Sequence, residues 1–199
     1  MINCIPFTKS YPVGKANRGI CLGEVFWMGI ETERLILRPW QAADLVPFIR
    51  MNKDPDVMRF FTGPLEAEQT KEFYESILRE FAEYGYGLYA AEEKGSGCFI
   101  GFRWAKFEAA FCPCEEIGWR LCKEYWGKGY ATEGAKACLS YGFEKLAFDK
   151  IYSFTSIENK ASQRVMQKIG MRPERYFDHP NVPLGHPLRP HICYCIKNG

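Results

Sequence analysis

The 199-residue chain has almost no net charge: 26 Lys and Arg against 24 Asp and Glu leave a formal charge of +2. A field that weak gives no reason to name nucleic acid as a partner. Long apolar runs are missing too. The stretch 19–30 is broken by Glu24, is too short to span a bilayer and has no small-residue cleavage site, so neither a membrane nor secretion is expected. The nine cysteines are odd in number and none forms a CxxC pair: Cys112 and Cys114 flank a proline, and Cys193 and Cys195 alternate along a strand pattern. That spacing argues against a structural zinc site and against a disulfide framework, and reduced thiols in a cytoplasmic protein are the expectation. Internal repeats and low-complexity tracts are absent.

What is present is core. With 47% hydrophobic and 16% aromatic residues, the chain can bury one full-sized interior without dividing. Residues 1–29, which carry Lys9, Lys15 and Arg18 ahead of the broken apolar stretch, read as a flexible N-terminal arm, and 30–197 as one domain. Leu35 and Leu37 alternate with Arg34, Ile36 and Arg38 as a first strand stopped by Pro39. Leu45, Phe48 and Ile49 repeat at helical spacing, and a second helix over 66–84 puts Phe73, Ile77, Leu78 and Phe81 on one face. Three strands follow over 88–92, 99–107 and 116–122, with turn-rich segments at 95–97 and 112–113. A helix then starts behind Gly129, a strand covers 151–157, Asn159 caps a short helix ended by Gly170, and strands over 171–177 and 191–196 enclose a proline-rich loop.

The stretch Trp126, Gly127, Lys128, Gly129, Tyr130, Ala131, Thr132 joins a strand to a helix. Amides at a helix N-terminus lack intrahelical acceptors, the helix dipole adds partial positive charge, and glycines let backbone approach a pyrophosphate closely. A bare GxG is also what any tight strand-to-helix turn uses. The phosphate-binding P-loop needs a GK followed by Ser or Thr, which does not occur here. The dinucleotide fingerprint needs a third glycine where Thr132 stands and an acidic residue after the next strand, whereas Asp149 precedes it.

Glu116, Ile117 and Gly118, followed by the 126–133 segment, resemble the central motif of the GNAT superfamily of N-acetyltransferases, and Asn159, Ser162, Gly170 and Met171 follow at that family's spacing, most like its RimJ/RimL branch. The resemblance covers residues 33–196. It implies an α+β fold, a mixed and mostly antiparallel sheet of six to seven strands flanked by helices and splayed between the fourth and fifth strands, near Leu121 and Ser153. It implies acetyl-CoA as co-substrate, with no metal. Backbone amides of Leu121 and Cys122 would pair with the pantetheine arm like an added strand, those of Gly127, Lys128, Gly129, Tyr130, Ala131 and Thr132 would hold the pyrophosphate, and Asn159 would meet the pantetheine as well as cap its helix.

A neutral amine is what attacks a thioester, so some group must accept a proton. The resemblance points to Glu116 as that base, with Glu115 beside it. Many relatives use a tyrosine as proton donor to the departing sulfur where this chain has Met166, which makes Ser162 the candidate. All three histidines lie in the loop 179–191, read as a lid beside the acceptor pocket, with His179 and His191 as alternative bases. The acceptor stays open between a protein N-terminus and a small-molecule amine, and the chain is expected as monomer or homodimer. A non-catalytic acyl-CoA sensor is the alternative that the missing tyrosine raises.

Overall fold

A computed structural model describes residues 29–105, 108–109, 112–113 and 115–199. The N-terminal arm expected over 1–29 lies, but for Gly29, outside them. Strand β1 (Ile30–Glu31) leads into β2 (Leu35–Arg38), α1 (Leu45–Lys53), the single turn α2 (Pro55–Met58) and α3 (Ala67–Tyr84). Then come β3 (Tyr89–Glu93), β4 (Cys98–Ala105), the short hairpin β5 (Glu108–Ala109) and β6 (Cys112–Pro113), β7 (Glu116–Leu121), α4 (Tyr130–Glu144), β8 (Lys150–Ser156), α5 (Lys160–Lys168), β9 (Arg172–Asp178) and β10 (Pro190–Lys197).

Local chemistry sets most boundaries. Asp54 accepts the Asp56 amide at 2.8 Å, and Pro55 at the first helical position gives up an N–H that would be unpaired anyway. Glu66 and Gln69 cap α3 reciprocally, and Gly85 ends it at φ +76. Asn159 caps α5 by accepting the Ser162 amide at 3.1 Å.

Eight strands form one sheet in the order β1-β2-β3-β4-β7-β8-β10-β9. One more strand than expected is present because β1, two residues long, adds to the edge of β2 with Ile30 opposite Leu37. The expected turn at 112–113 is instead one arm of the β5-β6 hairpin, pairing Glu108 with Pro113. Neighbouring strands are antiparallel except β7 and β8, which α4 connects as a parallel pair.

Helices α1 and α3 cover one face of the N-terminal half, with Phe48 and Phe73 packed edge-on to Phe102 of β4. Helices α4 and α5 cover the other, with Ala135, Cys138 and Met166 buried toward the sheet. The core runs through both layers, from Leu35 and Leu37 to Ile117 and Ile151. Among the described residues no helix is long and apolar enough to cross a membrane.

Candidate functional site

The parallel pair is where the sheet fails to close. Glu116 and Tyr152 are the only residues that β7 and β8 align, and the Tyr152 amide donates to the Glu115 carbonyl at 2.8 Å. Beyond them β7 stays paired with β4 up to Leu121, while β8 pairs with β10 along its whole length. Each strand is therefore held on its outer side, and a gap opens between residues 117–121 and 153–156.

Backbone direction in β7 decides what faces this gap. The Cys122 amide donates to the Ile100 carbonyl at 2.9 Å, so it points to β4 and cannot serve a ligand in the gap. That corrects the expectation for Cys122. Leu121, one residue earlier on the pleat, points the opposite way. Its carbonyl accepts the Trp126 indole N–H at 2.8 Å, which ties the start of the following turn to the gap's edge and leaves the Leu121 N–H as its contribution there.

The turn is shaped for close approach. Gly127 and Gly129 have φ of +74° and +85°, in the left-handed region, and a Cβ at Gly127 would meet nothing within 4 Å. Helix α4 makes its first internal bond from the Glu133 amide to the Gly129 carbonyl. Among the described residues, the amides of Gly127, Lys128, Gly129 and Thr132 have no backbone acceptor, and Trp126, Lys128 and both glycines are exposed. An exposed cradle of amides at the dipole's positive end, with the Arg34 guanidinium 3.4 Å from where a Cβ on Gly129 would stand, fits a diphosphate.

Sequence reading missed what holds this cradle. Glu133 accepts from the Thr32 hydroxyl at 2.6 Å, the Arg34 amide at 2.9 Å and the Arg34 Nε at 2.7 Å, and Arg34 Nη1 reaches the Lys128 carbonyl at 3.0 Å. The Arg34 guanidinium also lies over the Tyr130 ring, 4.6 Å from its centre. Partial burial works against the Glu133 carboxylate, yet the bonds from Thr32 and Arg34 hold its pKa below the usual glutamate value. Partners 99 residues apart leave no local pattern to read.

Glu116 sits at the closed end of the gap and is 9% exposed. Burial alone pushes its carboxyl up to about 8. Glu115 is half-buried with its carbonyl committed to Tyr152, so the two neighbours are now distinct. Ser162 and Asn159 stand past the far end of β8, where the Asn159 amide donates to the Ser156 carbonyl and its side chain donates to Thr155 Oγ1 at 3.1 Å. Glu116 and Ser162 thus lie toward opposite ends of the gap, separated along β8 by the four residue steps from Tyr152 to Ser156, roughly 13 Å of strand. Met166, at the position of the family's tyrosine, is a buried core residue.

Two of the loop's histidines, His179 and His191, are buried while most of the loop is exposed. His179 and His191 lie 4.8 Å apart, centre to centre, against Phe154 and Phe177. The Asn181 amide donates to His179 Nδ1 at 3.2 Å, and His191 Nδ1 donates to the Arg189 carbonyl at 3.0 Å. Burial, with the neighbouring His191, presses His179 down to about 4, and burial lowers His191 as well. An imidazole that weak takes up a proton poorly near neutrality. His186, whose Nδ1 accepts the Leu188 amide, belongs to the same loop. Among the described residues no group of His, Cys, Asp or Glu is arranged to hold a metal.

Comparison with known proteins agrees with this geometry. The model of the acetyltransferase (GNAT) domain matches residues 34–172. The chain belongs to the GNAT family. This GNAT chain is 35% identical to the uncharacterized protein YkkB of Bacillus subtilis over 161 residues, 77% of this chain and 90% of that one. It is 34% identical to the uncharacterized N-acetyltransferase YnaD of the same organism, across 75% of this chain and 86% of the relative. A crystal structure of a GNAT-family acetyltransferase from Bacillus anthracis superposes with a TM-score of 0.72 at 31% identity, covering 85% of this chain and 98% of that one. The GNAT chain is accordingly an N-acyltransferase, and acetyl-CoA-dependent N-acetylation is its general reaction.

Proposed function

We propose that the enzyme transfers acetyl from acetyl-CoA to a primary amine by direct attack in a ternary complex, with Glu116 accepting the amine's proton and Ser162 donating one to the departing sulfur. The observation that carries this reading is the pairing of a buried carboxyl at the gap's closed end with the glycine turn at its open end. Bound acetyl-CoA supplies the thioester carbonyl. The Leu121 N–H and the amides of Gly127, Lys128, Gly129, Tyr130, Ala131 and Thr132 bind and orient it, and Asn159 fixes the first turn of α5, which carries Ser162. The Ser162 hydroxyl has no hydrogen-bond partner among the described residues.

Proton affinity supports Glu116 and narrows the acceptor. A carboxyl raised to about 8 matches an α-ammonium, whose ordinary pKa is about 8, so the proton passes between them at little cost. From a lysine-type ammonium at about 10.4 the same transfer is uphill by about 3 kcal/mol. The support favours an α-amine, in a free amino acid or at a peptide N-terminus.

Two measurements test this. In titration calorimetry acetyl-CoA binds the wild-type protein, and Gly129→Asp, which sets a side chain and a negative charge in the cradle, weakens binding at least tenfold. Unchanged affinity in that variant removes the turn from the cofactor site. In thiol-release assays over an amine panel, kcat/KM climbs as pH rises through about 8, where Glu116 ionises and the amine becomes neutral. Binding without thiol release across the panel leaves the sensor reading in place of the enzyme.

A further inference from the structure

We infer that Arg34, aimed by Glu133, is a positioning residue for the cofactor: it holds the Lys128 carbonyl on one side of the glycine turn, so that the Gly129 N–H faces the diphosphate on the other. The inference rests on the acetyl-transfer reading above and adds the residues that set the cradle's shape. Gly127 and Gly129 flank Lys128 with φ of +74° and +85°, and glycine's freedom lets the peptide between Lys128 and Gly129 turn over at small cost. A trans peptide points its carbonyl and its N–H in opposite directions, so the overturned form presents an oxygen to the anion. Arg34 Nη1 donates to the Lys128 carbonyl at 3.0 Å and fixes that peptide.

The guanidinium is itself held at its root and at its head. Thr32 and Leu35 close a tight turn, the Thr32 N–H donating to the Leu35 carbonyl at 2.9 Å and the Leu35 N–H to Thr32 Oγ1 at 2.8 Å. The Arg34 carbonyl accepts the Lys94 N–H at 2.9 Å, and Leu35 and Leu37 are fully buried, so the side chain leaves from a fixed backbone. At the head, Glu133 Oε2 takes Arg34 Nε at 2.7 Å and Nη2 at 2.6 Å, while Oε1 takes the Thr32 hydroxyl at 2.6 Å and the Arg34 amide at 2.9 Å. Glu133 stands in the first turn of α4, where its own amide donates to the Gly129 carbonyl at 3.0 Å. One residue therefore closes the helix start through its backbone and aims Arg34 at the turn through its side chain.

Attraction for an anion is no reason to place a carboxylate in this helix turn, because its charge opposes the diphosphate's. Its use is geometric. Each of its two oxygens accepts from two donors, four in all. A glutamine keeps one accepting oxygen and turns an NH2 group toward the other pair of donors, so it cannot serve both. Two readings of Glu133 then differ in sign: removing its charge tightens CoA if the local field decides, and weakens CoA if the aim of Arg34 decides.

Calorimetric titration of CoA into the full-length protein separates them. Arg34→Gln weakens binding about tenfold, Glu133→Gln weakens it about fivefold, and the double variant is no weaker than Arg34→Gln alone. The Arg34→Gln loss agrees within about twofold between roughly 50 mM and roughly 500 mM salt, because a misdirected amide is not screened as a distant charge is. In amide NMR spectra of the free protein, Arg34→Gln moves the Gly129 resonance and leaves those of residues 135–142 in place, which a general loosening of α4 would not do. Should Arg34→Gln fail to fold, Arg34→Lys, which keeps the charge but cannot hold Glu133 and the Lys128 carbonyl together, weakens CoA about threefold. Unchanged affinity in the Arg34 variants, a loss that vanishes at high salt, or tighter binding by Glu133→Gln overturns the inference. Wild-type protein that binds no CoA, or Gly129→Asp protein that binds it unchanged, is a separate result and overturns the reading of the turn instead.

Discussion

At the scale of single residues, the carboxyl proposed as the base has a placement that costs stability. Nothing but burial raises the Glu116 carboxyl, so the folded protein holds a proton there between the ordinary glutamate value of 4.5 and about 8 while the unfolded chain has lost it. The native state binds more protons across that window, and stability must fall as pH rises through it. Glutamine has the same shape and no charge to desolvate. Glu116→Gln is therefore expected to raise stability at pH 9 by an amount on the order of 4 kcal/mol, with little change at pH 4, while abolishing thiol release. Denaturant titrations at the two pH values check this, and a variant no more stable than wild type at pH 9 shows that water reaches the carboxylate. Glu116 also illustrates what sequence can and cannot carry. Its identity as the candidate base is visible in the motif, but the choice over Glu115 depends on which side chain the strand turns inward.

At the scale of elements, α3, α4, α5 and the strands 150–156, 172–178 and 190–197 were legible because each has its own periodicity and its own punctuation: Gly85, the 127–129 turn, Asn159 and Gly170. The two-residue β1 and the β5-β6 hairpin were not, since their residues take strand geometry from a neighbour rather than from their own pattern. The clamp from Thr32 and Arg34 to Glu133 was hidden for the same reason. Within the β9-β10 hairpin His179 and His191, the alternative bases, pack against Phe154 and Phe177. His179 is pressed to about 4, so the unfolded chain binds more protons than the native one between about 6.5 and 4, and stability must fall as pH drops through that window. Replacing it removes this dependence: His179→Phe is expected to flatten the fall in Tm between pH 6.5 and 4. Parallel slopes for variant and wild type would mean that the ring takes up its proton without leaving the cluster.

At the scale of the whole molecule, the sheet is two halves joined at one aligned pair. Strands β1 to β4 with β7 form one half and β8 to β10 the other, and across the seam Glu116 aligns with Tyr152 alone. Edges left open by both strands are costly unless something pairs with them, and under the proposed cofactor site a ligand whose amide groups extend along β7 would supply that pairing. Ligand binding is then part of the fold's own completion, and its effect should appear in residues that belong to the seam. CoA is expected to slow amide exchange at residues 119–121 and 127–132, and at 153–156 through closer approach of β8, while α1 and α3 exchange as before. At a hundred times the dissociation constant the protein gains about 2.7 kcal/mol, which Tm should report as a rise of roughly 5–11 °C. Protection confined to the 127–132 turn would mean that the cofactor sits on the helix end without entering the seam. In that case Glu116 would be too far from the thioester to act on an amine bound beside it.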